Sequence, residues 1–251
     1  MALRQSTGLR DFKLRDGPMK RALYGGILRG YSGTQPSTAD SATSGTLLFT
    51  LSLSSGAVTA EVLSSGSITL TGGASGSIDT VTINSVQVLP AAVAFNTDLT
   101  TTAADLATAL NNSMTLPHYV CTSSGAVVTI KALPGTGTTP NGYTVVSATT
   151  TITKTDANMA SGVAQVNGLT FGSTTSGQMV LSGTWSANPV AAGTLGWLRF
   201  QGSITDGGGS STTLIRLDMA ASDAAVTLST TNVQIGVPVS CTSFNITDPA
   251  S

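Results

Sequence analysis

The 251-residue sequence predicts a mainly β protein: an antiparallel β-sandwich or jelly-roll-like domain, an inserted small α+β domain and a basic N-terminal arm. Charged residues make up only 9% of the chain and Glu61 is its one glutamate, so the charged faces that long exposed helices need are scarce. Apolar residues alternate with Ser and Thr in many short runs, which is the two-residue period of half-buried strands. Gly, Asn and Pro recur between these runs and indicate turns.

The strands of the predicted sandwich lie towards both ends of the chain. Thr46–Leu53 is the clearest of them, because every second residue of this run is Leu or Phe. After residue 163 short apolar runs return at intervals of about 8–12 residues, a spacing typical of antiparallel sandwiches. We therefore predict one β-sandwich domain from residues 31–63 and 164–251.

Residues 64–163 have a different pattern and predict a separate α+β domain. Short alternating strands precede and follow one helix signal at 102–112, whose apolar residues form a single stripe. A helix of this kind covers one face of a small sheet, and the two together can bury a core. Residues 134–142 predict a loop, because the segment is rich in Gly and Pro. It is not interpreted as a phosphate-binding motif, because the Gly-Lys-Ser/Thr ending of such a motif is missing.

Residues 1–30 form the predicted basic arm, with a short helix expected after Pro18. Seven cations lie there against Asp11 and Asp16, which gives a net charge of +5 and leaves −6 for the rest of a chain whose total is −1. We expect the arm to bind an acidic partner, and a protein is favoured over nucleic acid because the arm has few aromatic residues for base stacking. The cations expected to contact the partner are Arg4, Arg10, Lys13, Arg15, Lys20, Arg21 and Arg29.

Neither export nor membrane insertion is predicted. The first residues, Met-Ala-Leu-Arg-Gln-Ser, lack the apolar core of a signal peptide, and no run of about 18 apolar residues could span a bilayer. Cys121 and Cys241 are isolated, without the spacing of a zinc site or a disulfide framework. These features fit synthesis in a reducing cytoplasm, and no metal is expected.

The ionisable residues form no pattern that indicates an active site. His118 is the single histidine, and in a strand its side chain and that of Cys121 would face opposite sides. Asp206 and Asp218, the latter with Asp223, are the candidate carboxylates for a glycan-cleaving pair, but Asp206 precedes a Gly run that is typical of a hairpin turn. We predict that the protein is not an enzyme and needs no cofactor.

The large aromatic residues near the end of the chain have two interpretations. Trp185, Trp197 and Phe200 lie in predicted strands and are expected in the core or between sheets. Stacking of exposed rings on carbohydrate is the alternative. Burial of the three side chains would decide between them.

Several segments of the predicted sandwich carry a family resemblance. Near the start they are Ser6-Thr7-Gly8-Leu9-Arg10, the run ALYGGILRGYSGTQP at residues 22–36, and Gly45-Thr46-Leu47-Leu48. Near the end they are Trp197-Leu198-Arg199-Phe200 and Thr242-Ser243-Phe244-Asn245-Ile246-Thr247. These segments, covering roughly 1–58 and 167–248, resemble a group of small virion structural proteins encoded by tailed phages and prophages.

The block between them resembles a different module, which is found in assorted phage tail and surface proteins. The module's absence from shorter members of the virion protein group supports its interpretation as an insertion. The segments that carry this resemblance are residues 67–73 (SITLTGG), 93–95 (VAF), 103–107 (AADLA) and 140–143 (PNGY).

The resemblance implies a non-enzymatic structural component of the virion, made in the host cytoplasm. Capsid decoration, as a cement-type accessory protein that assembles through its arm and its sheet edges, is favoured because a compact body with a basic arm suits a repeated lattice site. The alternative is a tail, collar or fibre-associated protein whose inserted domain binds a receptor or glycan on the host. The expected partners are other capsid or tail proteins and further copies of this chain in a homo-oligomer. Neither nucleic acid nor a membrane is expected as a partner.

Overall fold

The structure is a computed structural model that describes residues 3–174 and 177–247. Strands make up 42% and helices 11% of the chain, and the strand pairs in the described residues are antiparallel, so the predicted mainly β class is confirmed. The jelly-roll order of strands stays a prediction. The chain divides into two compact units, residues 62–164 as unit 2 and the segments on either side as unit 1. The sequence placed these divisions at 63/64 and 163/164.

The first part of unit 1 consists of short helices and strands. They are β1 (Arg4–Gln5), α1 (Thr7–Arg15), α2 (Met19–Leu23), β2 (Ile27–Ser32) and β3 (Leu47–Leu53). Ser6 caps α1, because its hydroxyl accepts a hydrogen bond from the backbone N–H of Leu9. The same hydroxyl donates to the carbonyl of Leu214, so the start of α1 is fixed to a distant part of the chain.

Unit 2, all of whose residues are described, consists of two four-stranded sheets and one helix. Its elements are β4 (Ser65–Gly72), β5 (Ser77–Ile83), β6 (Val86–Gln87), β7 (Val93–Ala94), α3 (Leu99–Asn111), β8 (Val120–Ser124), β9 (Val127–Lys131), β10 (Val145–Thr150) and β11 (Thr153–Ala160). One sheet has the order β11-β4-β9-β8, and the other has β10-β5-β6 with β7 paired to β5. Leu106 of α3, Ile68 and Ile130 of the first sheet and Val81 of the second belong to one hydrophobic core.

The remaining strands complete the sheet of unit 1. They are β12 (Thr170–Phe171), β13 (Gln178–Ser182), β14 (Trp185–Ala187), β15 (Gly193–Gln201), β16 (Arg216–Ala220), β17 (Val226–Leu228), β18 (Asn232–Val233) and β19 (Val239–Thr247). In the described residues of unit 1 there are eleven strands in one sheet, in the order β1-β16-β15-β2-β3-β14-β19-β13-β12. In addition, β17 pairs with β19 and β18 with β15.

Aromatic rings from four strands of this sheet pack together in one cluster. The long strand β19 pairs in turn with β14, β17 and β13, and strands that change partners in this way let a sheet fold over on itself. The rings of Phe171, Trp185, Phe200 and Phe244 come from β12, β14, β15 and β19, with centroids 4.9 to 6.0 Å apart. Trp185, Trp197 and Phe200 are fully buried, which confirms the core interpretation over exposed stacking on carbohydrate.

Strand β16 and residues 197–201 of β15 are buried on both faces. The aromatic cluster lies on one face, and residues 33–46, here called the covering loop, lie over the other. Trp197 stacks on Tyr31 with centroids 4.6 Å apart, and its Nε1 donates to the carbonyl of Ser44 in the covering loop at 3.3 Å. Unit 1 therefore has a third layer made of irregular chain.

We expect Gly8→Ala to loosen α1 from unit 1. A Cβ on Gly8 would lie 2.5 Å from the carbonyl oxygen of Thr213 and 2.7 Å from that of Leu214, and backbone atoms cannot give way as a flexible side chain can. The expected cost is about 1–3 kcal/mol in the free energy of unfolding, measured in urea. Arg10→Ala, on the exposed side of α1, is the control and should change stability by no more than about 0.5 kcal/mol. Equal stability of the two variants would contradict this packing.

Candidate functional site

The seven cations of the predicted arm lie on β1, α1, α2 and β2, which are parts of unit 1. The sequence suggested a tether, whereas this segment is folded onto the sheet because Leu9, Phe12, Ala22 and Leu23 bury their side chains. Its first strand, β1, pairs with β16 along the edge of the sheet. Any partner of these cations would therefore meet them on a folded surface.

Several of these cations are engaged within the unit. Arg4 and Lys20 donate to backbone carbonyls, and both Nε and Nη2 of Arg15 donate to the carboxylate of Asp16 at 2.9 Å. Arg10 bonds to a hydroxyl in the preceding turn of its own helix. These contacts orient the cations within unit 1.

The outward side of α1 combines positive charge with an exposed apolar side chain. Arg10 and Arg15 are exposed, and Leu14, one helical turn after Arg10, is 88% exposed. Lys13 and Arg21 are half-buried. This side of α1, here called the α1 face, has the mixture of cation and apolar surface that suits a protein partner.

Asp206 and Asp218, the candidate catalytic carboxylates, are each held by a buried arginine. Nε and Nη2 of Arg199 donate to Asp218 at 2.7 and 2.8 Å, and the same atoms of Arg216 both donate to Asp206 at 2.6 Å. The side chains of both arginines are 0% exposed. This bidentate geometry is the strongest that an arginine forms with a carboxylate, and it engages both oxygens of each acid.

The two ion pairs also fix the covering loop. Nη1 of Arg199 donates to the carbonyl of Ser41 at 3.0 Å, and Nη1 of Arg216 donates to the same oxygen at 3.4 Å. The carboxylate of Asp40 accepts from the backbone and hydroxyl of Thr7 at 2.8 and 2.7 Å. The paired arginines therefore connect the sheet to the loop, and α1 is bonded to that same loop.

Burial and hydrogen bonding act in opposite directions on these two acids. Burial raises the pKa of Asp218 despite the opposing charge and hydrogen bonds of Arg199. For Asp206 burial is again the largest single effect, but the hydrogen bonds from Arg216 and Gly208 and the charges of Arg216 and Arg199 together outweigh it and lower the pKa. The two carboxylates should therefore contribute to acid unfolding with opposite signs.

We expect Asp206→Asn and Asp218→Asn to change the pH dependence of stability in opposite directions. An ionised Asp206 stabilises the folded state above its ordinary pKa of 3.8, and this contribution is lost as the pH falls through the lowered folded pKa. Asp218, with its raised pKa, takes up a proton more readily when folded, so acidification reduces its unfavourable contribution. Urea unfolding across the acid range should show a flatter pH dependence for Asp206→Asn and a steeper one for Asp218→Asn than for wild type. Equal slopes would contradict this assignment.

His118 and Cys121 line a very small cavity in unit 2, near Leu110 and Tyr119. Its volume of about 10 Å³ holds no more than about one water molecule. The backbone N–H and carbonyl of Cys121 are bonded to the amide of Asn111, which fixes the start of β8 to α3. The cavity is too small for a substrate.

We expect neither thiol to react in the folded protein. Cys121 and Cys241 are both buried, and burial raises the pKa of Cys241 to about 11. The reactive species is the thiolate, which such a pKa makes scarce at pH 8. A colorimetric disulfide reagent at pH 8 should detect no fast-reacting thiol in the native protein and two after unfolding. One rapidly modified thiol in the native state would contradict this.

Other acidic residues serve caps and turns. Asp98 caps α3 by accepting from the backbone N–H of Thr101, and this hydrogen bond lowers the pKa of Asp98. Asp223 accepts from the backbone N–H of Ala225 in the turn before β17. Among the described residues, no group of three or more His, Cys, Asp or Glu side chains could hold a metal ion.

Comparison with known proteins gives no match to a protein-family model, a curated protein or a solved structure. In the part of the chain that the structure describes, no helix has both the length and the apolar character needed to cross a bilayer.

Sequence reasoning missed the structural role of Arg199 and Arg216. A signal was available, because each arginine stands between two apolar residues, in LRF and in IRL. An arginine in such a run is buried on one face and needs an acidic partner. The identity of the partner depends on strand register and on loop position, which the pattern does not contain.

Proposed function

We propose that the chain is a non-enzymatic structural component of a tailed-phage virion, most specifically a capsid decoration protein. The proposal is based on the resemblance of its terminal segments to small virion proteins of tailed phages. In this proposal the chain assembles with capsid proteins and with further copies of itself.

The pairing of two of those segments is the observation that carries the proposal. Residues 197–200 lie in β15 and residues 28–31 in β2, and the two strands pair directly, with Leu198 opposite Gly30 and Phe200 opposite Leu28. Segments about 170 residues apart in sequence therefore contribute to one piece of sheet. This supports treating the resemblance as that of a single structural unit.

The hydrogen bonding of Asp206 and Asp218 supports a role without catalysis. A glycan-cleaving site needs one carboxyl able to donate a proton and another free to attack or to activate water. In unit 1 both oxygens of Asp206 and of Asp218 accept hydrogen bonds from buried arginines. The two carboxylates therefore have a structural role, because their ion pairs hold two strands and a loop together.

The α1 face is the proposed contact with the capsid. It is held rigidly, because α1 is capped by Ser6 and packed through Leu9 and Phe12. A rigid surface loses little conformational freedom on binding, which favours association. Arg10 and Leu14 are its exposed cationic and apolar members.

Rebinding to particles tests this proposal. Particles from a phage lacking the gene for this chain would be incubated with purified protein, and bound protein measured after sedimentation. We expect saturable binding, weakened about tenfold or more by Arg10→Glu combined with Leu14→Ser. Val146→Ser, an exposed apolar change in unit 2, is the matched control and should bind as wild type does. No saturable binding of the wild-type chain would contradict capsid decoration.

A second candidate is a tail, collar or fibre-associated protein in which unit 2 binds the host surface. The observation that favours it is the exposed apolar pair Met114 and Leu116, which are 87% and 67% exposed in the segment after α3. Binding of the full chain to host cells, lost in a Met114→Ser, Leu116→Ser variant, would support this candidate. Equal binding by the variant would contradict it.

A further inference from the structure

A recess in unit 1 lies beside the paired arginines. Its volume is about 200 Å³, and it is lined by β2, β3, the end of β15 and the chain on either side of Ala60 and Thr205. The polar side chains at its surface include Arg29, Thr50 and Gln201. Nothing in the proposed virion role requires this recess, so the inference below is independent of that role.

Arg29 differs from its two arginine neighbours in having no acidic partner among the described residues. It is opposite Arg199 in the pairing of β2 with β15, so both side chains leave the same face of the sheet. Arg199 and Arg216 each hold an aspartate, whereas Arg29 forms no ion pair among residues 3–174 and 177–247. Its Nε is buried and has no hydrogen-bond partner in those residues. In the part of the chain that the structure describes, this partly buried positive charge therefore has no counter-charge.

Gln201 adds a second donor to the same recess. Its side chain is 1% exposed, and its Nε2 is buried with no hydrogen-bond partner among the described residues. Gln201 is opposite Ile27 in the strand pairing, two residues from Arg29 on the same face of β2. Buried donors are nearly always satisfied in folded proteins, so two of them in one recess indicate an acceptor that enters it.

The acidic groups nearest the recess already have donors. Asp206, which lines it, accepts from Arg216 and from the backbone of Gly208. Glu61, next to the lining residue Ala60, accepts from the hydroxyl of Ser203. The charge of Arg29 is thus available for a ligand from outside the chain.

We infer that this recess binds a carboxylate. A guanidinium presents a planar pair of N–H groups that matches the two oxygens of a carboxylate, and the amide of Gln201 supplies a further donor. Ile27 and Val58 give the recess an apolar side that suits a short alkyl chain. The carboxylate belongs either to a small organic acid or to an acidic side chain of another protein.

An NMR titration of the full chain with glutarate tests the inference. The side-chain N–H signals of Arg29 and Gln201 should shift together and saturate, with a Kd of about a millimolar or below. Arg29→Met should weaken binding about tenfold or more, while Arg21→Met, a change at another half-buried arginine, should leave it unchanged. The wild-type titration alone remains decisive if the Arg29 variant fails to fold.

A second titration distinguishes the two possible sources of the carboxylate, a small organic acid and a protein side chain. A capped peptide containing one glutamate would bind at least as well as glutarate if the natural ligand is a protein side chain, and more weakly if it is a small acid. Absence of saturable shifts at Arg29 and Gln201 with either probe would overturn the inference. Tighter binding of inorganic phosphate than of glutarate would overturn the assignment to a carboxylate.

Discussion

Replacing Arg199 with methionine is expected to lower the free energy of unfolding by about 3–5 kcal/mol. The substitution leaves the carboxylate of Asp218 fully buried without its two hydrogen bonds from Arg199. An unpaired buried charge costs far more than the paired one contributes, because the desolvation penalty is then uncompensated. The carbonyl of Ser41 also loses its shorter arginine contact, which should loosen the covering loop.

A double variant separates the effect of losing the ion pair from the effect of changed packing. The double variant Arg199→Met, Asp218→Leu replaces the pair with apolar side chains of similar size, and it should be more stable than Arg199→Met alone. Arg10→Met, at an exposed position on α1, is the control and should stay within about 0.5 kcal/mol of wild type. The stabilities would be measured by urea unfolding at neutral pH. If Arg199→Met cost no more than the control, the pair could not be the buried connection described above.

Phe244→Ala is expected to cost about 3–5 kcal/mol in the stability of unit 1. The Phe244 ring is fully buried and lies 4.9 Å from Trp185, 5.7 Å from Phe200 and 5.8 Å from Phe171, measured between centroids. Truncating the Phe244 side chain removes its apolar contacts and leaves a cavity. The strands around the cavity are held by their own pairing, so they can move in to fill it only in part.

The neighbouring residue provides the control for this prediction. Asn245 lies on the same strand with its side chain exposed, and Asn245→Ala should change stability by no more than about 0.5 kcal/mol. Tryptophan fluorescence during chemical unfolding reports on unit 1, because Trp185 lies in the cluster. A loss below about 1 kcal/mol for Phe244→Ala would mean that Phe171, Trp185 and Phe200 do not pack on this ring as described.

Strands such as β3 were predictable because apolar residues recur at every second position of the sequence. The predicted strand Thr46–Leu53 is observed as Leu47–Leu53. The helix predicted at 102–112 is observed at Leu99–Asn111, three residues earlier at its start, because Asp98 provides the cap and the hydroxyl of Thr102 donates back to the carbonyl of Asp98.

Helix α1 was not predicted, because its sequence is dominated by the cations that indicated an arm. Only Leu9 and Phe12 of this nine-residue helix are buried, too few for a visible apolar stripe. Its stability comes from contacts far away in sequence, such as the bond from Ser6 to Leu214. Tertiary contacts of this kind have no local pattern, so composition was a poor guide to the structure of this segment.

The alternating pattern of residues 143–153 predicts a single strand, whereas the structure has two strands there. Thr151 adopts a φ of 58° and ends β10, after which β11 begins at Thr153. The two strands pair with different sheets, β10 with β5 and β11 with β4. The alternation of apolar and polar residues continues across the break between β10 and β11, so the two-residue period alone does not reveal that break.

The candidate site was the least predictable part of the protein. Asp206 and Asp218 were recognised as the acids of interest in the sandwich, but their pairing with Arg216 and Arg199 depends on register and loop position. The unpaired state of Arg29 depends on the same geometry. Sequence grouped this residue with the arm, whereas in the structure it lies on β2 at the wall of a recess.

The copy number of this chain in purified virions tests the central proposal most directly. Quantitative mass spectrometry of particles from the encoding phage would compare this chain with the major capsid protein. Capsid decoration predicts hundreds of copies per particle, whereas a tail or collar position predicts about a dozen or fewer. Absence of the chain from purified, infectious particles would contradict a structural role in the virion.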